Sequence, residues 1–218
     1  MKIFITKFAT FKTSAENPSE MPKLPYLDSL FKRRLSQVSR MTIEAVHGLI
    51  DGQPDEAEVK NLKMVFTSFR GEISRQLKIN RGLVEDADVM PANFSISVFN
   101  TPPALATIAF KMKAGYTAIY PAEDDFASAL VSASASLLCG ADKKIIFVYA
   151  DEYVPEEYKN CPGYTDKAAL AFACILSSEK TEEAVEISLD EPELSKIALS
   201  PESFLTYLET AGTVHVGQ

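Results

Sequence analysis

Three consecutive acids, Glu123, Asp124 and Asp125, follow a short apolar run and Pro121, and they precede a segment with helical spacing. Crowded carboxylates raise one another's pKa, and one of them can then serve as a general acid or base. The same residues also suit the first turn of a helix, where a carboxylate caps free N–H groups and meets the positive end of the dipole. Nucleophilic chemistry has less to work with. The cysteines are Cys139, Cys161 and Cys174, an odd count without CxxC spacing, which argues against a disulfide framework and against a zinc site. Cys139 falls at the far end of the helical segment, where the negative dipole end keeps a thiol protonated. Cys161 lies in a loop pattern, and the sequence places no histidine beside it as a base. His47 and His215 are too few for a histidine metal cluster, and HExxH is absent. The glycines form none of the patterns GxGxxG, GxxxxGKS/T or GxSxG, so a phosphate cradle and a nucleophile elbow lose their support. Neither a metal nor an organic cofactor is expected.

With 22 basic and 30 acidic residues the chain has a net charge of −8. It lacks the basic footprint of a nucleic-acid binder and is repelled by anionic lipid. A length of 218 residues suits a single domain, residues 1–218, able to bury a core without staples. The N-terminal apolar run is interrupted by Lys7 and Lys12 and has no small-residue cleavage site, so it reads as a strand and not a signal peptide. No apolar run approaches the roughly 18 residues of a membrane span. The expectation is a cytoplasmic protein with reduced thiols.

The elements that must hold these side chains follow from periodicity. Residues 2–11 alternate as a strand does, and residues 14–25, with Pro18, Pro22 and Pro25, form a loop. Residues 30–50 repeat apolar positions at helical spacing, predicting one amphipathic helix whose other face carries Lys32, Arg33, Arg34 and Arg40. Residues 62–67 predict a buried strand, 72–78 a short helix, 80–91 a polar connector, and 92–99 alternate like a strand. Thr101 and Pro102 open a helix that stops at Gly115. Residues 116–120 predict a short strand ended by Pro121. The Ala/Ser-rich stretch after Asp125 predicts a helix stopped by Gly140. Side chains so small let backbones approach closely, which predicts a central, buried helix. Residues 144–149 (KIIFVY) make the strongest strand, and residues 168–176 and 184–189 predict two more, paired as a hairpin. Ser200 and Pro201 open a last helix. Strands alternating with helices predict an α/β fold with a largely parallel sheet buried on both faces. Ligands of such sheets sit beyond the carboxyl ends of strands, which favours the turn at residues 120–125.

Three segments, PANFSISVFNTPPALATIAFKMKAG, YTAIYPAEDDFASALVSASASLLCGADKKIIFVYADE and FKRRLSQVSRMTIEAVHGLI, together resemble the N-terminal half of the β-ketoacyl synthases. The first is similar to the family's interface segment, in which a Ser-Val-Asn run leads into an Ala-rich helix. The second is similar to its nucleophile strand, turn and helix followed by the next core strand. The third is similar to an early helix. The likeness runs loosely from residue 2 to residue 189 and is strongest toward short ketosynthase-like proteins and chain-length factors of aryl-polyene and polyketide clusters.

The resemblance implies a thiolase-like half-fold, with a mixed, mostly parallel sheet flanked by helices. It puts Glu123 where the family carries its catalytic cysteine, with Asp124, Asp125 and Phe126 beside it as substrate contacts. A carboxylate there cannot carry a thioester through condensation. The family's two histidines come from a C-terminal half that lies past the matched stretch, and His47 and His215 match neither motif. The implied function is an accessory, non-condensing protein of fatty-acid or polyketide assembly of the aryl-polyene type. Its expected partner is a ketosynthase or a second copy in a dimer. Arg33 and Arg34 are the expected contacts for an acidic acyl carrier protein. The alternative is an enzyme, a malonyl-thioester decarboxylase working through the carboxylates at Glu123.

Overall fold

In the computed structural model, which describes every residue except 123, 124, 163, 166, 217 and 218, the chain begins with β1 (Lys2–Lys12), α1 (Ser29–Lys32), α2 (Gln37–Ile50) and α3 (Glu56–Val59). It goes on through β2 (Lys63–Thr67), α4 (Ile73–Glu85), α5 (Pro91–Phe94), α6 (Thr101–Phe110), β3 (Tyr116–Ile119) and α7 (Phe126–Leu138). Then come β4 (Lys144–Asp151), β5 (Leu170–Ser177), β6 (Val185–Ser188), α8 (Glu191–Ile197), α9 (Pro201–Thr210) and β7 (Val214–His215). The strands form one mixed sheet in the order β3-β2-β4-β5-β1-β6, with β7 beside β1. β3, β2 and β4 are parallel, whereas β4-β5, β5-β1 and β1-β6 are antiparallel. Apart from the short β1-β7 contact, parallel pairing is confined to one end of the sheet and falls short of the mostly parallel expectation.

β4 and β5 take the middle because both their faces are apolar. Ile145, Phe147, Tyr149, Phe172 and Cys174 face one layer, built by α7, α8 and α9. Ile146, Val148, Ala150, Ala171 and Ala173 face the other, built by α2 and α6. The alternation is the two-residue period of a strand, and burial on both sides selects a continuous apolar run. The alanines of β5 leave room for α2 to pack close.

Four expectations are corrected. β5 and β6 are not a hairpin: β1 lies between them, pairing Phe8 with Cys174 and Ile3 with Ile187. β5 is buried along its whole length, so its N–H and C=O groups need a ladder on both edges, and β1 supplies the one opposite β4. The single helix at 30–50 is two helices, each with its own cap, Asp28 before the first and Ser36 within the stretch before the second. Asp28 accepts from the Leu30 and Phe31 N–H groups, and Ser36 accepts from the Ser39 N–H at 3.1 Å. Arg33 and Arg34 therefore sit in the intervening turn, and Arg40 donates to the carbonyls of Pro22 and Lys32, tying down the proline-rich loop. Residues 92–99 form α5 and a turn, not a strand, with the Ser97 hydroxyl donating to the Phe94 carbonyl at 2.8 Å. Finally, α7 is covered on one side only. Phe126, Ala129, Leu130, Ala133 and Leu137 are buried, while Ser132, Ala135 and Leu138 are exposed.

Candidate functional site

The parallel end of the sheet opens onto a crevice of about 440 Å³ at the carboxyl ends of β2, β3 and β4. Its walls include Phe69 and Arg70 after β2, Tyr120 after β3, Tyr149 of β4, and Lys167 and Glu202. This is the position that strand direction favours for a ligand.

Beneath it lies Asp151, the last residue of β4. Its Oδ1 accepts from the Ser68 hydroxyl at 2.5 Å and from the Phe69 and Arg70 N–H groups at 3.1 and 3.2 Å. Its Oδ2 accepts from the Tyr149 hydroxyl at 2.8 Å and from Arg70 Nη1 at 3.4 Å. Burial pushes the Asp151 carboxyl up, against the opposing hydrogen bonds of Ser68 and Tyr149 and the charge of Arg70. Burial, followed by the Asp151 charge, raises the Tyr149 phenol well above its usual range, so Tyr149 keeps its proton and donates it. The network fixes the turn after β2 and holds Arg70 at the crevice. Lys167 is held in turn by Glu202 at 2.9 Å. Each cation thus has a carboxylate partner, and three aromatic rings supply apolar wall. The described lining holds no cysteine or histidine. Such a surface suits reversible binding of a polar ligand with an apolar stretch.

The residues singled out from the sequence fall in different places. Glu123 and Asp124 lie outside the described residues. Asp125 caps α7, accepting from the Ala127 N–H at 3.0 Å, and lines a groove of about 410 Å³ between α7 and α8. Phe126 is fully buried under the crevice, with ring centroids 5.7 Å from Tyr149 and 5.5 Å from Phe204. Cys139 is the C-cap of α7, Cys161 is exposed, and Cys174 is a core residue whose thiol burial pushes up. His47 stacks on Tyr26 and His215 on Phe8. Arg33 and Arg34 are exposed, and Arg33 lines a separate cavity of about 470 Å³ with Ser36, Ser74, Arg75, Lys78 and Glu152.

Asp151 and Glu152 are not among the residues singled out from the sequence. Their signal was two acids at the end of the most apolar strand, where successive side chains point to opposite faces. Asp151 turns to the crevice and Glu152 to the start of α2 and α4, where it accepts from the Val38 and Ser74 N–H groups.

Among the described residues, no group of three His, Cys, Asp or Glu side chains could hold a metal ion, and no helix is long and apolar enough to cross a membrane. No curated protein matches the chain. Solved structures do. A structure described as the ketosynthase ApeO in complex with its chain length factor ApeC, from Xenorhabdus doucetiae, matches with a TM-score of 0.67 at 22% identity, over 82% of this chain and 80% of that one. The ishigamide ketosynthase/chain length factor matches with a TM-score of 0.62 at 14% identity, over 84% of this chain and 64% of that one. A β-ketoacyl synthase from Burkholderia phymatum matches with a TM-score of 0.56 at 12% identity, over 82% and 59%. The chain therefore spans less than two thirds of the latter two. At such identities the likeness is one of fold, a thiolase-like mixed sheet between helical layers. The profile of the β-ketoacyl synthase N-terminal domain matches residues 8–204, nearly the whole course from β1 to α9, and the chain belongs to that family.

Proposed function

We propose that the chain is an accessory, non-condensing subunit that docks on a ketosynthase-type partner, or on a second copy, through the open edge of its sheet. The observation that carries this reading is β3. Among the described residues it is an end strand, paired on one side with β2. The segment leading to it exposes Phe94, Val98 and Ile108, and Tyr120 follows it directly, with 61%, 46%, 63% and 60% of their surfaces exposed. The Phe99 and Tyr120 rings meet at 5.9 Å, and the Asn100 side chain donates to the Tyr116 hydroxyl at 3.1 Å, which ties this segment to the strand. An unpaired edge beside exposed apolar side chains is a surface that proteins otherwise cover or blunt. The fold likeness to chains from ketosynthase and chain length factor structures supports a partner of that type. Fatty-acid or polyketide assembly is the process we assign, with the aryl-polyene type as the narrower expectation from the sequence resemblance.

The double variant Phe94→Glu/Ile108→Glu tests this face. It should weaken association, with itself or with a ketosynthase purified from the native host, at least tenfold in sedimentation velocity, because each charge would be buried in the contact. Association at the original strength would remove β3 as the docking edge.

The exposed Arg33 and Arg34 are proposed to meet an acidic acyl carrier protein. Reversal of both to Glu should weaken binding in a titration, and should flatten its salt dependence, since charge pairs at a rim act mainly on encounter. A titration unchanged by reversal would discard this contact.

A further inference from the structure

Two helices that belong to different parts of the sequence begin at the same carboxyl group. Glu152 Oε1 accepts from the Ser74 N–H, in the first turn of α4, at 2.8 Å. Its Oε2 accepts from the Val38 N–H, in the first turn of α2, at 3.4 Å. A second carboxylate, Glu72, stands at the cap of α4 and reaches across to α2, accepting from the Ser36 and Ser39 hydroxyls at 2.8 Å each. Arg75, the cation of the α4 first turn, is bonded to Glu72 at 3.1 Å. Glu152 makes no ion pair among the described residues and is 3% exposed.

The rest of α4 is weakly held. None of its residues is buried, although it is 13 residues long. Its other polar ties among the described residues include Arg75 to the Arg34 carbonyl, Gln76 to the Ser97 carbonyl and Arg81 to Glu157. α2, by contrast, is buried along most of its length. The joint between them borders the cavity of about 470 Å³, which Glu152 and Ser74 both line. The charged groups facing this joint are Glu72, Arg75 and Lys78 from α4 and Arg33 from the turn before α2. Asp151, next on β4, faces the opposite side of the sheet.

We propose that Glu152 is a pH-responsive clasp for α4: as its carboxyl ionises, hydrating it requires water from the neighbouring cavity, and α4 parts from α2. A buried carboxylate with two N–H donors, no cation and a like charge beside it gains by re-solvation. Lifting α4 re-solvates it without breaking a strand pairing, and no residue of α4 is itself buried. Burial, helped by the Glu72 charge, pushes the Glu152 carboxyl up to about 7. The closed arrangement then holds the proton more tightly than the open one. Closure is fully favoured below the ordinary carboxylate range and loses ground as pH rises from there to about 7. α5, with Phe94, follows α4 in the chain, so the clasp also governs part of the docking face. That consequence rests on the docking reading; the clasp does not.

Amide hydrogen exchange on the isolated full chain tests the clasp without a partner. After correction for intrinsic exchange, the opening constant of α4 should rise on the order of fiftyfold between pH 5 and pH 8, while amides beyond the first turn of α2 stay unchanged. In Glu152→Gln the α4 profile should be flat. Glu72→Gln, which removes the like charge and keeps an acceptor for the serines, should move the α4 transition to lower pH. It serves alone if Glu152→Gln does not fold. A wild-type α4 profile flat with pH, or one that both variants leave unmoved, overturns the proposal.

Discussion

Asp151→Ala should destabilise the fold by about 3–5 kcal/mol, the range for removing one partner of a buried charged network. The variant strands the Tyr149 hydroxyl, the Ser68 hydroxyl, and the Phe69 and Arg70 N–H groups, all bonded to Asp151. Each buried donor without an acceptor costs about 1–3 kcal/mol, and relaxation recovers part of the sum. Urea unfolding checks the figure. Asp151→Asn, which keeps an acceptor oxygen, should lose less. A loss under about 1 kcal/mol for the alanine variant would mean that water replaces Asp151 and that the network does not define the turn after β2.

Phe126→Ala should cost a similar amount, about 3–5 kcal/mol, through transfer and cavity effects. The ring is fully buried and meets Phe147, Tyr149, Phe172 and Phe204, with centroids 5.5 to 6.1 Å away. Its neighbours belong to β4, β5 and α9, so collapse onto the cavity would require the sheet and a helix to move together. Because Tyr149 is bonded to Asp151 and packed on Phe126, the two losses should not add. A double-mutant cycle should show coupling of about 0.5–3 kcal/mol. Strict additivity would mean that crevice floor and core respond independently.

These two residues mark what the sequence disclosed and what it withheld. Asp125 was legible as a helix cap because a cap needs only its own next residues. Phe126 stands next to it, and at the first turn of a helix the sequence does not say which side faces the core; its ring is fully buried beside Tyr149 of the crevice wall. The crevice itself was foreseeable, since parallel strands set their carboxyl ends side by side. The Asp151 network was not. Ser68 and Arg70 reach it only through the parallel register of β2 on β4, which aligns Thr67 with Tyr149, a pairing no local pattern encodes. The core strands were read correctly from their continuous apolar runs. The place of β1 was missed because an edge or a central position depends on what the distant β5 still lacks. The break before α2 was carried by Ser36 alone, within an unbroken helical periodicity. Glu123, on which the enzymatic alternative turned, lies outside the described residues, so the proposed role stands on the sheet edge instead.

The position of β1 bears on how the protein is made. All the strand partners of β1 lie beyond Ala169, so β1 leaves the ribosome well ahead of them. At roughly 5–20 residues per second, it waits on the order of ten seconds or more for a neighbour. Meanwhile an alternating segment with Ile3, Ile5 and Phe8 on one face is free to pair with another nascent chain. Lys2, Lys7 and Lys12 are spaced along that segment, and charges so placed disfavour such pairing. Lys7 keeps this duty at a structural cost: once the sheet closes it is buried, and Asp55, 2.6 Å away, must receive its charge. A lysine inside the finished molecule is thus a trace of the time the unfinished one spends unprotected.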